Sequence, residues 1–171
     1  MILRLSQKLS TKIKAGKLKA LSLDSNPYVD WSCHLFIANR AQYIMLSNTA
    51  SMYTCVMSGR GITNKSSFTP SVCATIREFL TDDGQQFAYE RFIAPSTAEV
   101  QFAKAHNRGV TGSMNELIGT AEYLLAAHDH SPHSVGFELN DILLSYVGTK
   151  ETGGYGRPKT AFRNLATKLS N

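Results

Sequence analysis

No stretch of this chain approaches the roughly eighteen consecutive apolar residues that a membrane-spanning helix requires. Its opening Met1-Ile2-Leu3-Arg4-Leu5 is broken by charge before an apolar run of signal length can form, so neither a spanning helix nor an export signal is expected. Cysteine is scarce and odd in number. Cys33, Cys55 and Cys73 include no C-x-x-C pair, which argues against a disulfide framework and the usual zinc and redox spacings. They are expected as small core residues in a reducing, cytoplasmic compartment. Charged side chains make up only 18%, below the usual quarter or so. With 43% hydrophobic residues, however, the chain lacks the composition of a disordered protein. There is no G-K-[ST] of a phosphate loop, no G-x-G-x-x-G and no G-x-S-x-G elbow, so the common nucleotide-binding and hydrolase signatures are missing. No internal repeat or low-complexity tract is present.

Acid is absent from both ends. The first twenty residues carry Arg4, Lys8, Lys12, Lys14, Lys17 and Lys19, and the stretch after Glu151 carries Arg157, Lys159, Arg163 and Lys168, with no Asp or Glu in either. Residues 21–149 are net acidic, with seven basic and twelve acidic side chains, beneath an overall formal charge of +5. If the two ends meet in the fold they form one positive patch for phosphates or anionic lipid; if they lie apart the excess serves solubility. A basic, Ser-containing, acid-free start is also what a mitochondrial presequence or a membrane-surface helix looks like.

At 171 residues the chain suits one sizeable core and hence one domain over 1–171. Leu3 and Leu5 around Arg4 predict a short strand; Ser6 is placed to cap a helix with Leu9 and Ile13 on one face, and Gly16 to end it. Residues 21–30, with Leu23-Asp24-Ser25-Asn26-Pro27, form a turn-rich linker. Trp31, Cys33, Leu35 and Ile37 alternate with Ser32, His34, Phe36 and Ala38, and Asn39-Arg40-Ala41 reverses the chain into Tyr43-Ile44-Met45-Leu46, a hairpin over 31–48. Met52 to Met57 suggests a further strand. Thr69 and Pro70 suggest the N-cap and first residue of a helix carrying Val72, Ile76, Phe79 and Leu80, interrupted at Asp83-Gly84. A second helical piece with Phe87 and Phe92 runs to Pro95, and Val100 and Phe102 predict another strand. Ser113 and Glu116 have the spacing of a capping box for a helix with Leu117, Ile118, Ala121, Leu124 and Leu125, ending near His128. A polar turn from Asp129 to Ser134 then leads to Phe137, Leu139, Ile142 and Leu143 in an extended segment. A Gly-rich break near 148–157 precedes a C-terminal helix through Phe162, Leu165 and Leu169. The expected fold class is α+β, a single domain with an antiparallel sheet covered by about four helices starting near Ser6, Thr69, Ser113 and Pro158.

Several segments together resemble a known family. R-L-S-Q-K-L at the start, W-S-C-H-L-F with Arg40 close behind, Ser47-Asn48 closing a strand, and the stretch N-R-G-V-T-G-S-M-N from Asn107 to Asn115 are similar to a bacterial family carried as a domain of unknown function. The similarity extends to about Val147. It implies a single bacterial domain whose basic start is a first strand and helix and not a cleaved presequence. The family carries no established activity, cofactor or catalytic residue, so the resemblance implies none. In the family motif the third position is usually Ser, where this chain has Gly109, which argues against chemistry built on a hydroxyl there.

Three clusters are candidates for chemistry. The Asn107–Asn115 segment, read as a Gly-containing loop between a strand and a helix N-terminus, would present backbone N–H groups and a positive dipole end to an anion. Arg108 would add a charged fork, and Thr111, Ser113 and Asn115 hydrogen bonds, while Asn107 completes the set. The structural alternative is a tight turn at Gly109 and Gly112 with Ser113 as cap. His128-Asp129-His130-Ser131-Pro132-His133 has metal-ligand residue types, but a polar turn lacks the fixed geometry a metal needs; it is read as a surface loop, with no metal and no cofactor expected. Ser113 with His106, or Cys33 with His34, are the available nucleophile and base pairs, the latter on opposite faces of a strand. The expected function is a non-catalytic binding module that holds an anionic ligand, with nucleic acid among the candidates, at the 107–115 loop. The alternative is a small enzyme acting on a phosphorylated or carboxylated substrate at the same loop. A pocket above Ser113 holding His106 or an acid would favour the enzyme. A flat basic surface joining both termini would favour nucleic acid.

Overall fold

The first apolar alternation becomes strand β1 (Ile2–Leu5) in the computed structural model, which describes residues 1–127 and 130–169. Ser6 caps helix α1 (Gln7–Lys12) by accepting the Leu9 N–H at 3.3 Å, and Gly16, with φ +80°, turns the chain away in a conformation that favours glycine. The turn-rich linker leads into β2 (Asp30–Ala38) and β3 (Ala41–Asn48), paired antiparallel from Trp31↔Asn48 to Ala38↔Ala41. Asn39 and Arg40, with φ of 45° and 63°, form the two-residue reversal; positive φ at both central positions matches the twist of the flanking strands. β4 (Thr54–Ser58) adds antiparallel to β3.

The five-stranded sheet has the order β4-β3-β2-β1-β5, with β5 at Gln101–Lys104. β1 lies between β2 and β5 and runs parallel to both, so the sheet is mixed and not antiparallel throughout. The reason is connection length. The β2-β3-β4 meander is joined by short turns, whereas long crossovers bearing helices bring the chain from β1 to β2 and from β4 to β5 pointing the same way. Side-chain alternation in the sequence marks a strand but carries no direction.

Both faces of the sheet are covered. On one face Leu3, Leu5, Trp31, Cys33, Ile44, Leu46 and Cys55 join Leu9 and Ile13 of α1 and Val72, Ile76, Phe79 and Leu80 of α2 (Lys65–Asp82). On the other, Phe36, Met45 and Val56 meet Val110, Met114, Leu117, Ile118, Ala121 and Leu125 of a long helix at Arg108–Ala126. α2 begins five residues before the expected Thr69-Pro70 start: Asn64 Oδ1 accepts the Ser67 N–H at 2.9 Å, and Ser67 Oγ accepts the Asn64 N–H at 3.4 Å. This reciprocal cap satisfies the helix end, and Pro70 is accommodated inside, where it forfeits one backbone bond. After Asp83-Gly84 the chain continues through α3 (Gln86–Ala88), a π-helical turn (Tyr89–Ile93) and a 3-10 turn (Ala94–Ser96).

The long helix, α4, starts at Arg108 under an Asn107 cap and not at Ser113, and Ser113 is buried in its interior. The Ser113-Glu116 spacing is one helix turn like any other; Asn107 provides the cap six residues earlier, with Oδ1 accepting the Val110 N–H at 2.9 Å. The segment with Phe137 and Leu139 is helical and not extended: Ser131 caps α5 (Pro132–Asn140). α5 lies along β4, the edge strand, and Asn140 completes the edge. Its Oδ1 accepts the Thr54 N–H at 2.7 Å and its Nδ2 donates to the Thr54 carbonyl at 2.9 Å, as a neighbouring strand would. The C-terminal segment forms α6 (Pro158–Arg163) and α7 (Leu165–Leu169). Phe162 is fully buried among Tyr28, Trp31 and Tyr53, stacked on Tyr53 at 4.4 Å.

Candidate functional site

β1 and β5 are adjacent and parallel, yet the helices that follow them go to opposite faces of the sheet, α1 with the Trp31 side and α4 with the Met45 side. Where neighbouring parallel strands send their helices apart, a crevice opens outside their carboxyl ends, and open α/β sheets place ligands there. The crevice here has a volume of about 290 Å³ and is lined by Arg4, Ser6, Gln7, Lys8, Ser32, Cys33, His34, Ala105, Val110, Thr111 and Met114. A depression of about 560 Å³ adjoins it through Ser6, Gln7 and Ala105 and adds Lys17 and Lys104. Another of about 340 Å³ adjoins it through Lys8 and His34 and adds Ile37, Asn115, Ile118 and Glu122.

Beneath the crevice lies a buried ion pair. Arg4 and Asp30 occupy paired strands, and the guanidinium meets the carboxylate through two bonds of 2.7 Å, Nε to Oδ1 and Nη2 to Oδ2. Arg4 also donates to the carbonyls of Leu21 and Ser22 at 2.9 and 2.8 Å, which pins the linker against the sheet. A buried charge persists only when paired and hydrogen-bonded in this way. A polar row continues across the same face: Ser32 Oγ lies 2.9 Å from Thr49 Oγ1, and Ser47 Oγ lies 2.7 Å from Thr54 Oγ1.

His34 lines the crevice, and Tyr146 lies over the start of α4. His34 is half-buried, and burial together with the nearby Lys8 charge lowers its pKa from the ordinary 6.5, so the neutral imidazole is favoured. Tyr146 is hydrogen-bonded to the Asn107 side chain while its ring lies on Gly109, where a Cβ would come within 3.1 Å of the tyrosine Cδ2. Burial raises the Tyr146 pKa, the Asn107 bond lowers it and the charge of Asp30 raises it further.

The structure separates the sequence-derived candidates. Asn107 is a cap and a partner of Tyr146; Arg108 is exposed and lines none of the three depressions. Thr111 lines the crevice, with its Oγ1 donating to the Asn107 carbonyl at 3.0 Å. Ser113 faces the core, and Asn115 lines the depression beyond His34. The segment is therefore the first two turns of a helix and not an open loop, and Tyr146 lies over its start. Neither Ser113 nor His106 lines the crevice or its neighbours, and burial holds the Cys33 thiol far above its ordinary pKa, with Cys55 and Asp30 adding to the rise. His128 and Asp129 lie outside the described residues. Ser131 and Pro132 open α5, and His133 Nε2 sits 3.0 Å from Asp82 Oδ2, its ring edge-on to Phe79 and Phe137. Among the described residues no group of three His, Cys, Asp or Glu side chains is placed to hold a metal.

The basic ends do not meet. The α1 lysines flank the carboxyl end of β1, while α6 packs through Phe162 on Tyr28 and Tyr53 at the opposite end of the sheet. There Lys159 pairs with Asp83 at 2.9 Å. Sequence reasoning passed over Arg4, Lys8 and Met114 as site residues. The available signal was Arg4 itself, a charge on the inward side of a strand that is otherwise apolar.

A family model described as "Domain of unknown function (DUF6933)" matches residues 2–161. No curated protein matches the chain.

Proposed function

Because the chain belongs to this family of unknown function, we propose, from its own site, that it is a non-catalytic binding module holding an anionic, partly apolar small molecule in the crevice at the carboxyl ends of β1 and β5. The observation that carries this reading is the divergence of α1 and α4 to opposite faces directly above that crevice. Lys8, Lys17 and Lys104 surround it, and no acid lines either the crevice or the depression beside Gln7. Val110 and Met114 supply an apolar wall. Anion recognition at the 107–115 segment is thereby moved one helical turn inward, to Thr111, with the charge supplied by lysines and not by Arg108. A cytoplasmic setting belongs to the same proposal and is supported by three free cysteines, two of them buried.

The test is a thermal-shift screen of wild type, Lys8→Gln, Lys104→Gln and Arg108→Ala against nucleotides, phosphosugars, carboxylates and short RNA and DNA at low and moderate salt. A ligand at a hundred times its Kd stabilises by about 2.7 kcal/mol. The expected result is a ligand-specific rise in Tm that the two lysine variants weaken and Arg108→Ala keeps. A shift abolished only by Arg108→Ala, or none with any compound, overturns the crevice as the site. One observation favours a second reading, a small enzyme for a phosphorylated or carboxylated substrate: the neutral His34 beside Thr111 is a candidate general base. Turnover of the compound that binds, lost in His34→Gln while binding remains, would establish that reading instead.

A further inference from the structure

A second concave surface lies away from the crevice, between the 143–157 segment and α6. The segment is a closed loop: Leu144 and Gly156 exchange backbone bonds of 2.9 and 3.0 Å, and Thr149 and Thr152 tie its tip. Two of its glycines are required by contact. A Cβ on Gly148 would fall 2.1 Å from the Gly154 carbonyl, and one on Gly156 would fall 2.4 Å from the Val147 oxygen. The loop is thus held in one shape by backbone packing, and with α6 it encloses a depression of about 510 Å³.

The lining of this depression has a definite chemistry. Arg157 supplies the single charge, and no acid is among its lining residues. Its nearest acid, Asp141, is 3.8 Å from Nη1, beyond hydrogen-bond distance, and both side chains are more than half exposed. Tyr146 and Tyr155 contribute rings which, among the described residues, stack on no other aromatic side chain, unlike Tyr28, Tyr43 and Tyr53. Leu143 and Tyr155 stand 57% and 56% exposed, a large apolar exposure for a rigid loop. Thr160 and Asn164 add polar groups along α6.

We propose that this depression is a binding site for a small planar carboxylate, independent of the crevice, in which Arg157 takes the carboxylate and Tyr146 and Tyr155 flank the apolar body. A lone guanidinium matches a single negative charge, and its fork pairs with a carboxylate through two parallel hydrogen bonds. The exposed Tyr155 ring suits a flat body by offset stacking, with the Tyr146 ring, which rests on Gly109, beside it. Asp141, at its loose distance, competes for the same guanidinium without occupying it.

Amide NMR with benzoate as the probe tests the assignment, because the glycine amides of 148, 154 and 156 report from inside the loop. Benzoate should shift those signals, and its neutral isostere benzamide should leave them nearly unmoved. Arg157→Gln should weaken benzoate at least tenfold, Arg157→Lys less than that, and Tyr155→Ala severalfold, while Asp141→Asn should tighten it. Arg157 and Asp141 are exposed, so these variants are expected to keep the wild-type amide dispersion. Equal response to benzamide, an unchanged titration in Arg157→Gln, or shifts confined to Ala105, Thr111 and their neighbours would each overturn the proposal. Only the last of these outcomes concerns the crevice, so the two sites stand or fall separately.

Discussion

At the scale of single residues, the site depends on two polar groups held where water is scarce, Arg4 and His34. Arg4 is 1% exposed and spends four hydrogen bonds on Asp30 and on the linker carbonyls of Leu21 and Ser22. Arg4→Met should therefore strand the Asp30 carboxylate and destabilise the fold by roughly 3–5 kcal/mol, read as a lower midpoint in urea. The double variant Arg4→Met, Asp30→Leu should recover much of that loss, because the pair is then removed together. For His34 the sign follows from its lowered pKa: the unfolded chain takes up the proton first, near the ordinary 6.5, so stability falls as pH drops from there through the folded value. His34→Gln should flatten that slope between about pH 7 and 5, measured by Tm against pH. Anion binding in the crevice should strengthen in wild type as pH falls through that lowered folded value, since protonated His34 adds positive charge.

At the scale of elements, capping decided where helices begin. Asn107 and Asn64 each accept a backbone N–H three residues on and cap their helices six and five residues ahead of the caps that the sequence suggested, Ser113 and Thr69. Both sequence signals were genuine cap chemistry at the wrong address: Ser, Thr, Asn and Asp all compete for that role, and burial chooses among them. Ser6 caps α1 where the sequence placed it. The edge of the sheet is a second element-scale device. Asn140 gives β4 the donor and acceptor of a missing strand. Asn140→Leu should leave both Thr54 backbone groups buried without partners, at about 1–3 kcal/mol each, together with faster amide exchange along Thr54–Ser58.

At the scale of the whole molecule, the C-terminal helices are part of the core, although the family match ends at residue 161. Phe162 is fully buried and joins Tyr28, Trp31 and Tyr53 in one aromatic cluster, and Lys159 reaches Asp83, which also accepts the Tyr53 hydroxyl at 2.8 Å. Phe162→Ala should cost roughly 3–5 kcal/mol, and a loss of under about 1 kcal/mol, typical of a surface substitution, would mean that α6 is only loosely attached. The sequence by itself determined strands β1 to β5, the β2-β3 hairpin, the apolar faces of α1 and α4, and the α+β class, because periodicity and turn chemistry are local properties. Only the tertiary structure decided strand direction, the true helix caps, the Arg4–Asp30 pair and the crevice beneath α4. Strand direction, the ion pair and the crevice join residues far apart in the chain, and the caps, though local, are chosen among competing side chains by burial, which no local pattern encodes.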